Sequence, residues 1–134
     1  MMQKFKPPEE WFLQAEYDMD TADAMFQSGR YTYAVFMSHL CIEKALKGFY
    51  AKVHCNDAPK TRNLLYLLEL MNAKEDLIIP DEFEDFFKIL NEKSVPTRYP
   101  DMLFGILKEF KKTNTKHFIT KGKKVLKWIK EKSV

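Results

Sequence analysis

Apolar residues recur along this chain at intervals of three and four, the period of a helix packed on one side, and no segment reads as a strand of consequence. Trp11, Ala15, Met19, Ala22 and Phe26 mark the first run. It begins near Pro7-Pro8-Glu9-Glu10, where prolines suit a first turn and carboxylates suit the positive end of the helix dipole. It continues to about Gln27, and Ser28-Gly29 stops it. From Tyr31 to about His54 two stripes appear together. Val35, Ile42, Leu46, Phe49 and Val53 form one; Ala34, Met37, Cys41, Ala45 and Gly48 form the other. A helix apolar on two sides is expected at the centre, with neighbours on both. Gly48 inside it costs helix propensity and allows another helix to approach closely. Such a helix can bury one face internally and offer the other, with Gly48, to a second copy of the chain.

Asn56 to Lys60 reads as a loop, with Thr61 as N-cap for a helix from Leu64 to about Met71. Ile79-Pro80-Asp81 opens a further short helix, whose Phe83, Phe86, Phe87 and Leu90 share one face. Asn91 to Pro100 contains two prolines four positions apart, which forbid regular helix and predict an extended connection. Met102 to Lys111 fits a short helix or a packed loop. Thr113 or Thr115 caps the last helix, which turns Phe118, Gly122, Val125, Leu126 and Ile129 to the core. These elements predict an all-α, up-and-down antiparallel bundle of four to five helices, with a Pro-rich loop before the C-terminal helices. They form one domain over 1–134, with its core at about 8–131.

Composition agrees with the periodicity. The 134 residues are 46% apolar and 31% charged with four glycines, too few turn residues for a β-sandwich of this size. No apolar run is long enough to cross a bilayer, and Met1 to Lys6 lacks a signal-peptide core, so the chain reads as cytoplasmic with no membrane role. Cys41 and Cys55 lie fourteen positions apart, roughly 21 Å along a helix and beyond disulfide reach. Neither they nor His39, His54 and His117 have metal-ligand spacing, so no metal and no cofactor is expected. The net charge of +3 conceals a polarity: Lys108 to Lys132 holds ten lysines against Glu109 and Glu131, leaving the remainder mildly acidic.

Four features could carry chemistry. Asp18 falls on the buried side of the first helix and needs a cation, Lys44 first and His39 second, in a structural ion pair. His39, Glu43 and Lys47 form a polar stripe at i, i+4 and i+8, with Tyr50 near its end. Ordinary pairing on an exposed face accounts for such a stripe, and so does a polar groove for a ligand or partner. Thr97-Arg98-Tyr99-Pro100-Asp101 sets an Arg, an aromatic ring and an acid on a proline-braced loop. That loop can grip a phosphate and stack on a base, or simply fasten itself to the bundle. Folded back on the stripe, Arg98, Tyr99 and Asp101 would complete a ligand-binding surface with His39, Glu43 and Lys47. Lys112, Lys116, Lys123, Lys127 and Lys130 form a basic ridge on the last helix, which suits phosphates or is a solvated face. No Gly-rich phosphate loop, nucleophile elbow or hydrolytic triad is present, so no catalytic residue is assigned.

Taken in order, these landmarks resemble a HEPN domain. The resemblance rests on Trp11-x-x-x-Ala15-x-x-Asp18-x-x-x-Ala22, Tyr31-x-x-Ala34-x-Phe36, and the run His39-Leu40-Cys41-Ile42-Glu43-Lys44-Ala45-Leu46-Lys47. It continues through Lys60-Thr61-Arg62-Asn63-Leu64-Leu65 and Thr97-Arg98-Tyr99-Pro100-Asp101 to Val125-Leu126-Lys127-Trp128-Ile129. Such a resemblance implies a helical bundle, usually dimeric, that binds nucleotide and accompanies a small nucleotidyltransferase. A second branch of the family comprises metal-independent ribonucleases, several of them toxins in toxin–antitoxin pairs neutralised by a nucleotidyltransferase partner. That branch uses an Arg followed by a His after four to six residues. Here eight residues separate Arg30 from His39, and neither Arg62 nor Arg98 has a His within that reach.

Two functional classes follow. The first is a non-catalytic HEPN-type module, a homodimer binding a nucleotide, a nucleotidyltransferase partner, or both. The second, disfavoured by the missing Arg–His spacing, is a ribonuclease with a non-standard site; RNA is accordingly the less favoured partner.

Overall fold

The computed structural model describes residues 5–75, 77–94 and 110–134. Five α-helices make up the described chain, in the order α1 (Pro8–Gln27), α2 (Tyr31–His54), α3 (Leu64–Glu75), α4 (Asp81–Ser94) and α5 (Lys112–Lys132). No strand occurs among the described residues. No described helix is long and apolar enough to cross a membrane.

The ends of α1 and α2 follow from local chemistry. Pro7 holds the extended conformation before α1, and Pro8 occupies a first-turn position where no backbone N–H is needed. At the other end Gly29 adopts φ +79°, while the Arg30 N–H donates to Met25 O at 2.7 Å and the Gly29 N–H to Phe26 O at 3.1 Å. This is a Schellman closure, and it requires the left-handed conformation that Gly accepts without strain. α2, at 24 residues, ends on Cys55, which takes the same region at φ 52°.

Two caps differ from the sequence expectation. Asn63, not Thr61, caps α3: its Oδ1 accepts from the N–H groups of Leu65 and Tyr66 at 3.1 and 3.3 Å. Thr61 accepts only from the Asn63 N–H, one step upstream. Asn91 of α4 completes the cap, accepting from the Leu64 N–H at 3.0 Å and donating to Asn63 Oδ1 at 3.0 Å. An Asn accepting at a helix start needs no hydroxyl before it, so Thr61 is displaced from the role. Likewise Thr113 and Thr115 lie inside α5 rather than before it, with Thr115 fully buried. The Lys111 N–H is satisfied instead by Asn114 Oδ1 at 2.7 Å. α3 also continues to Glu75, beyond the expected end near Met71.

The core gathers around α2, which packs on α1 most extensively, then on α5, with α3 and α4 closing the remainder. Its residues Ala34, Val35, Cys41, Ile42, Ala45, Leu46 and Phe49 are all buried. α4 adds Phe83, Phe86, Phe87 and Leu90, the single apolar face that its spacing dictates. Phe83 meets Trp128 of α5 edge-on, and Phe86 meets Phe118. Both stripes of α2 are therefore covered within one chain.

Gly48 is part of that cover. A Cβ at Gly48 would sit 2.9 Å from Trp11 Cβ and 3.2 Å from Phe12 Cζ. The close approach that glycine permits is used by α1 of the same molecule. The expectation that α2 keeps one face and Gly48 for a second copy is thereby corrected.

Candidate functional site: a polar seam between the first two helices

Helical geometry puts residues four apart on one line, so His39, Glu43 and Lys47 align along α2. In the folded chain all three are buried, with exposures of 1%, 7% and 9%. They do not form the exposed face that ordinary surface pairing would use. Lys47 Nζ donates to Glu43 Oε2 at 3.1 Å. Glu43 Oε1 lies 3.9 Å from His39 Nδ1, too far for a direct hydrogen bond, and accepts none from any described group.

Beside this line runs a second pair. Lys44 Nζ approaches Asp18 Oδ2 of α1 to 2.6 Å. The contact is close but oblique, a charge attraction without hydrogen-bond alignment. Cys41, one turn before Lys44, is buried. Burial pushes its thiol well above the ordinary range; Asp18 pushes the same way, and Lys44 opposes it. A thiol so disposed remains protonated and is no nucleophile.

Trp11 joins the seam at its C-terminal end. Its ring carries the Lys6 ammonium 3.8 Å from its centroid, with Lys47 Nζ at 5.8 Å. Its indole N–H is buried and has no acceptor among the described residues. Lys6 is held there because its backbone N–H donates to Asp57 Oδ1 at 3.0 Å, tying the segment before α1 to the loop after α2. The Lys6 ammonium is lowered from the usual lysine range by burial first, then by the charges of Lys44 and Lys47; Glu10 and Asp18 oppose these effects. Lys6, Lys44 and Lys47 therefore share one electrostatic neighbourhood.

The structure thus brings His39, Glu43 and Lys47 together, and Asp18 with Lys44. Arg98, Tyr99 and Asp101, which sequence reasoning assigned to the same surface, lie outside the described residues. Tyr50 turns away and stacks on His54, ring centroids 4.0 Å apart. Sequence reasoning missed Lys6 altogether and read Trp11 only as a core residue. No local spacing links either to Lys47; only the packing of α1 at Gly48 does so.

The basic ridge is a different surface. Lys123 meets Asp23 at 2.9 Å and Lys130 meets Glu16, both acids being on α1. Lys124 meets Glu82 of α4 at 2.8 Å. Part of the ridge is thus neutralised by the acidic helices beside it, while Lys112, Lys116 and Lys127 remain exposed. Among the described residues no cluster of three or more His, Cys, Asp or Glu could hold a metal ion.

The architecture is shared. TT1696, a protein from Thermus thermophilus, superposes with a TM-score of 0.80 at 24% identity, over 98% of this chain and 99% of that one. ST0689, described as an archaeal HEPN homologue, superposes with a TM-score of 0.75 at 24% identity, over 97% of this chain and 100% of its own. At such identity the likeness is one of fold. No curated protein matches the sequence. The family model of the HEPN domain matches residues 8–132. The helical bundle, its order of elements and that match together make this chain a member of the HEPN domain family.

Proposed function

We propose that this HEPN domain is a non-catalytic binding module, and that the seam of His39, Glu43 and Lys47 forms part of the surface that takes a nucleotide or a nucleotidyltransferase partner. The observation that carries the reading is the buried Glu43–Lys47 pair. Two opposite charges held inside a bundle of this size contribute little net stability, and apolar side chains of similar volume commonly do as well or better. Stability alone therefore leaves the pair unexplained.

Ligand chemistry accounts for it better. Lys47 has donors beyond the one given to Glu43, and the Trp11 indole N–H has no acceptor among the described residues. Lys44 is paired with Asp18 and Lys47 with Glu43, so beside these two ion pairs it is Lys6 that adds positive charge, together with the spare N–H donors that a phosphate group requires. The Trp11 ring adds an aromatic surface beside those ammonium groups. The segment bearing Arg98, Tyr99 and Asp101 is proposed as the second half of the same surface.

Calorimetric titration of ATP and GTP into the parent protein, His39→Ala and Arg98→Ala tests this. Binding by the parent and at least tenfold weaker binding by both variants is the expected result. A parent protein that takes neither nucleotide at millimolar concentration ends the small-ligand form of the proposal. The partner form is then tested by co-purification with a nucleotidyltransferase encoded beside this chain.

A further inference from the structure

We infer that Lys6, on the segment before α1, is the residue that meets the phosphate end of the ligand, and that the seam accordingly reads phosphate charge and not the base. The inference rests on the nucleotide form of the reading above and narrows it to a ligand class, a chain of linked phosphates whatever is attached to it.

The distribution of charge singles out Lys6. Lys44 is matched by Asp18, and Lys47 by Glu43. Lys6 makes no ion pair among the described residues. Its ammonium lies 3.8 Å from the Trp11 ring centroid and donates to the neutral amide oxygen Gln14 Oε1 at 2.5 Å. Lys6 is therefore the excess positive charge of the cluster. It is also partly exposed, whereas Glu43 and Lys47 are buried. An anion arriving from solvent meets Lys6 first.

The side chain is held in place before any ligand arrives. The Lys6 backbone N–H donates to Asp57 Oδ1 at 3.0 Å, and the Gln14 amide that accepts from its ammonium is itself fixed by donating to Glu10 Oε1 at 3.3 Å. A free lysine gives up much rotamer freedom when it grips an anion, and one already fixed gives up less. The same placement closes Trp11 to a base. With Lys6 in contact with the ring and Lys47 Nζ at 5.8 Å, a base stacks there only by displacing an ammonium. What the seam offers a ligand is positive charge and N–H donors, which suit phosphate oxygens and do not distinguish one base from another.

Phosphate contact at Lys6 has a signature that a purely structural fastening lacks. Burial lowers the Lys6 ammonium from the usual lysine range; Lys44 and Lys47 of α2 act the same way, and Glu10 and Asp18 of α1 oppose them. Glu43, paired with Lys47, and Asp57, in the loop after α2, complete the charged groups around it. A chain of phosphates seated there adds negative charge beside Lys6 and raises its value again. At a pH between the lowered and the raised value, binding takes up a proton.

Calorimetric titration without divalent metal decides it, on the parent, Lys6→Met and Lys6→Arg, each checked for folding by thermal melting. Tripolyphosphate, ATP and GTP should bind the parent with affinities within about tenfold of one another, and adenosine should not bind at millimolar concentration. Lys6→Met should weaken all three by about tenfold or more, while Lys6→Arg should stay within about threefold of the parent. Repeated at about pH 9.5 in two buffers of different ionisation enthalpy, the titration should show proton uptake in the parent. Lys6→Arg should lose that uptake, because its guanidinium stays charged. If none of the phosphate ligands binds the parent, the small-ligand reading falls and this inference falls with it. If they bind, the inference alone is overturned by a Lys6→Met variant that binds as tightly as the parent, or by proton uptake that persists unchanged in Lys6→Arg. A parent that binds ATP but not tripolyphosphate, or prefers one base by more than about tenfold, overturns it equally.

Discussion

Gly48 and Trp11 meet so closely that a methyl group on the glycine would lie 2.9 Å from the tryptophan Cβ. The contact is between an atom next to one backbone and the backbone of another helix. Neither can turn aside without moving α1 against α2, the most extensive packing in the bundle. This single junction also carries Trp11 to the Lys47 end of the polar seam.

Gly48→Ala is therefore expected to destabilise the protein in spite of its better helix propensity. The propensity gain is about 1 kcal/mol, while overpacking a well-filled helix contact costs about 1–3 kcal/mol. Gly122 provides the contrast. A Cβ there would also meet an atom at 2.9 Å, but that atom is the terminal methyl of Met19, which can swing away. Gly122→Ala should melt at or above the parent temperature and Gly48→Ala below it. Equal melting of the two variants would contradict the assignment of Gly48 as the point of closest helix approach.

The Asp18–Lys44 pair predicts an asymmetry. The Asp18 side chain is 8% exposed and that of Lys44 24%, so the acid is the more deeply committed partner. Lys44→Met strands a carboxylate with little access to water. Asp18→Asn strands an ammonium that retains some hydration. Removing one partner of a fully buried pair costs about 3–5 kcal/mol, and the partial exposure of Lys44 places Asp18→Asn below that range. Chemical denaturation should rank Lys44→Met as the more damaging change. The reverse order would mean that Asp18 obtains its stabilisation elsewhere.

Much of this architecture is legible in the linear sequence, for reasons that are local. The limits of α1 and the start of α2 follow from prolines that suit a first turn and from a glycine, Gly29, that takes positive φ, and both signals act over a few residues. The apolar face of α4 likewise follows from spacing alone. The cap of α3 is not legible in this way, because Thr and Asn compete for that role and a neighbouring helix helps to decide between them, whereas the cap of α5 is settled within its own first turn by Asn114 on the Lys111 N–H. Asn91, twenty-eight residues from Asn63, decides the start of α3. The candidate site is half legible. The i, i+4, i+8 line of His39, Glu43 and Lys47 is visible as a pattern, but its burial is not, because burial depends on α1 closing over α2. Lys6 and Trp11 enter only through that closure.

Glu82 offers a test by pH. Its side chain accepts from Lys124 Nζ at 2.8 Å, and this hydrogen bond and the lysine charge hold its carboxyl below the ordinary glutamate range. A carboxyl depressed in the folded state contributes stability that is present above its unfolded value, and the contribution disappears as pH falls through the folded value. Glu82 is exposed, so the effect should be small and should shrink as salt is added. Carboxyl-carbon NMR should find Glu82 titrating below the ordinary glutamate range, and Lys124→Met should return it to that range. Titration unchanged by that substitution would remove Lys124 as the cause.

The last prediction separates what the Glu43–Lys47 pair does for folding from what it does for function. Either charge alone in that position is uncompensated, so Glu43→Leu and Lys47→Met should each destabilise, by about 3–5 kcal/mol for a fully buried charge. The double variant removes both charges and fills the seam with apolar volume. It is expected to recover most of the stability lost by the single variants, leaving a coupling of at least about 1 kcal/mol in a double-mutant cycle. If the seam exists to bind an anionic ligand, that stable double variant should nevertheless bind ATP or GTP at least tenfold more weakly than the parent. Calorimetry and denaturation on the same four proteins make the comparison. A double variant that is both stable and fully competent to bind would show that the pair is dispensable for the ligand. A double variant no more stable than the single variants would make the pair a structural requirement and remove the observation on which the functional reading stands.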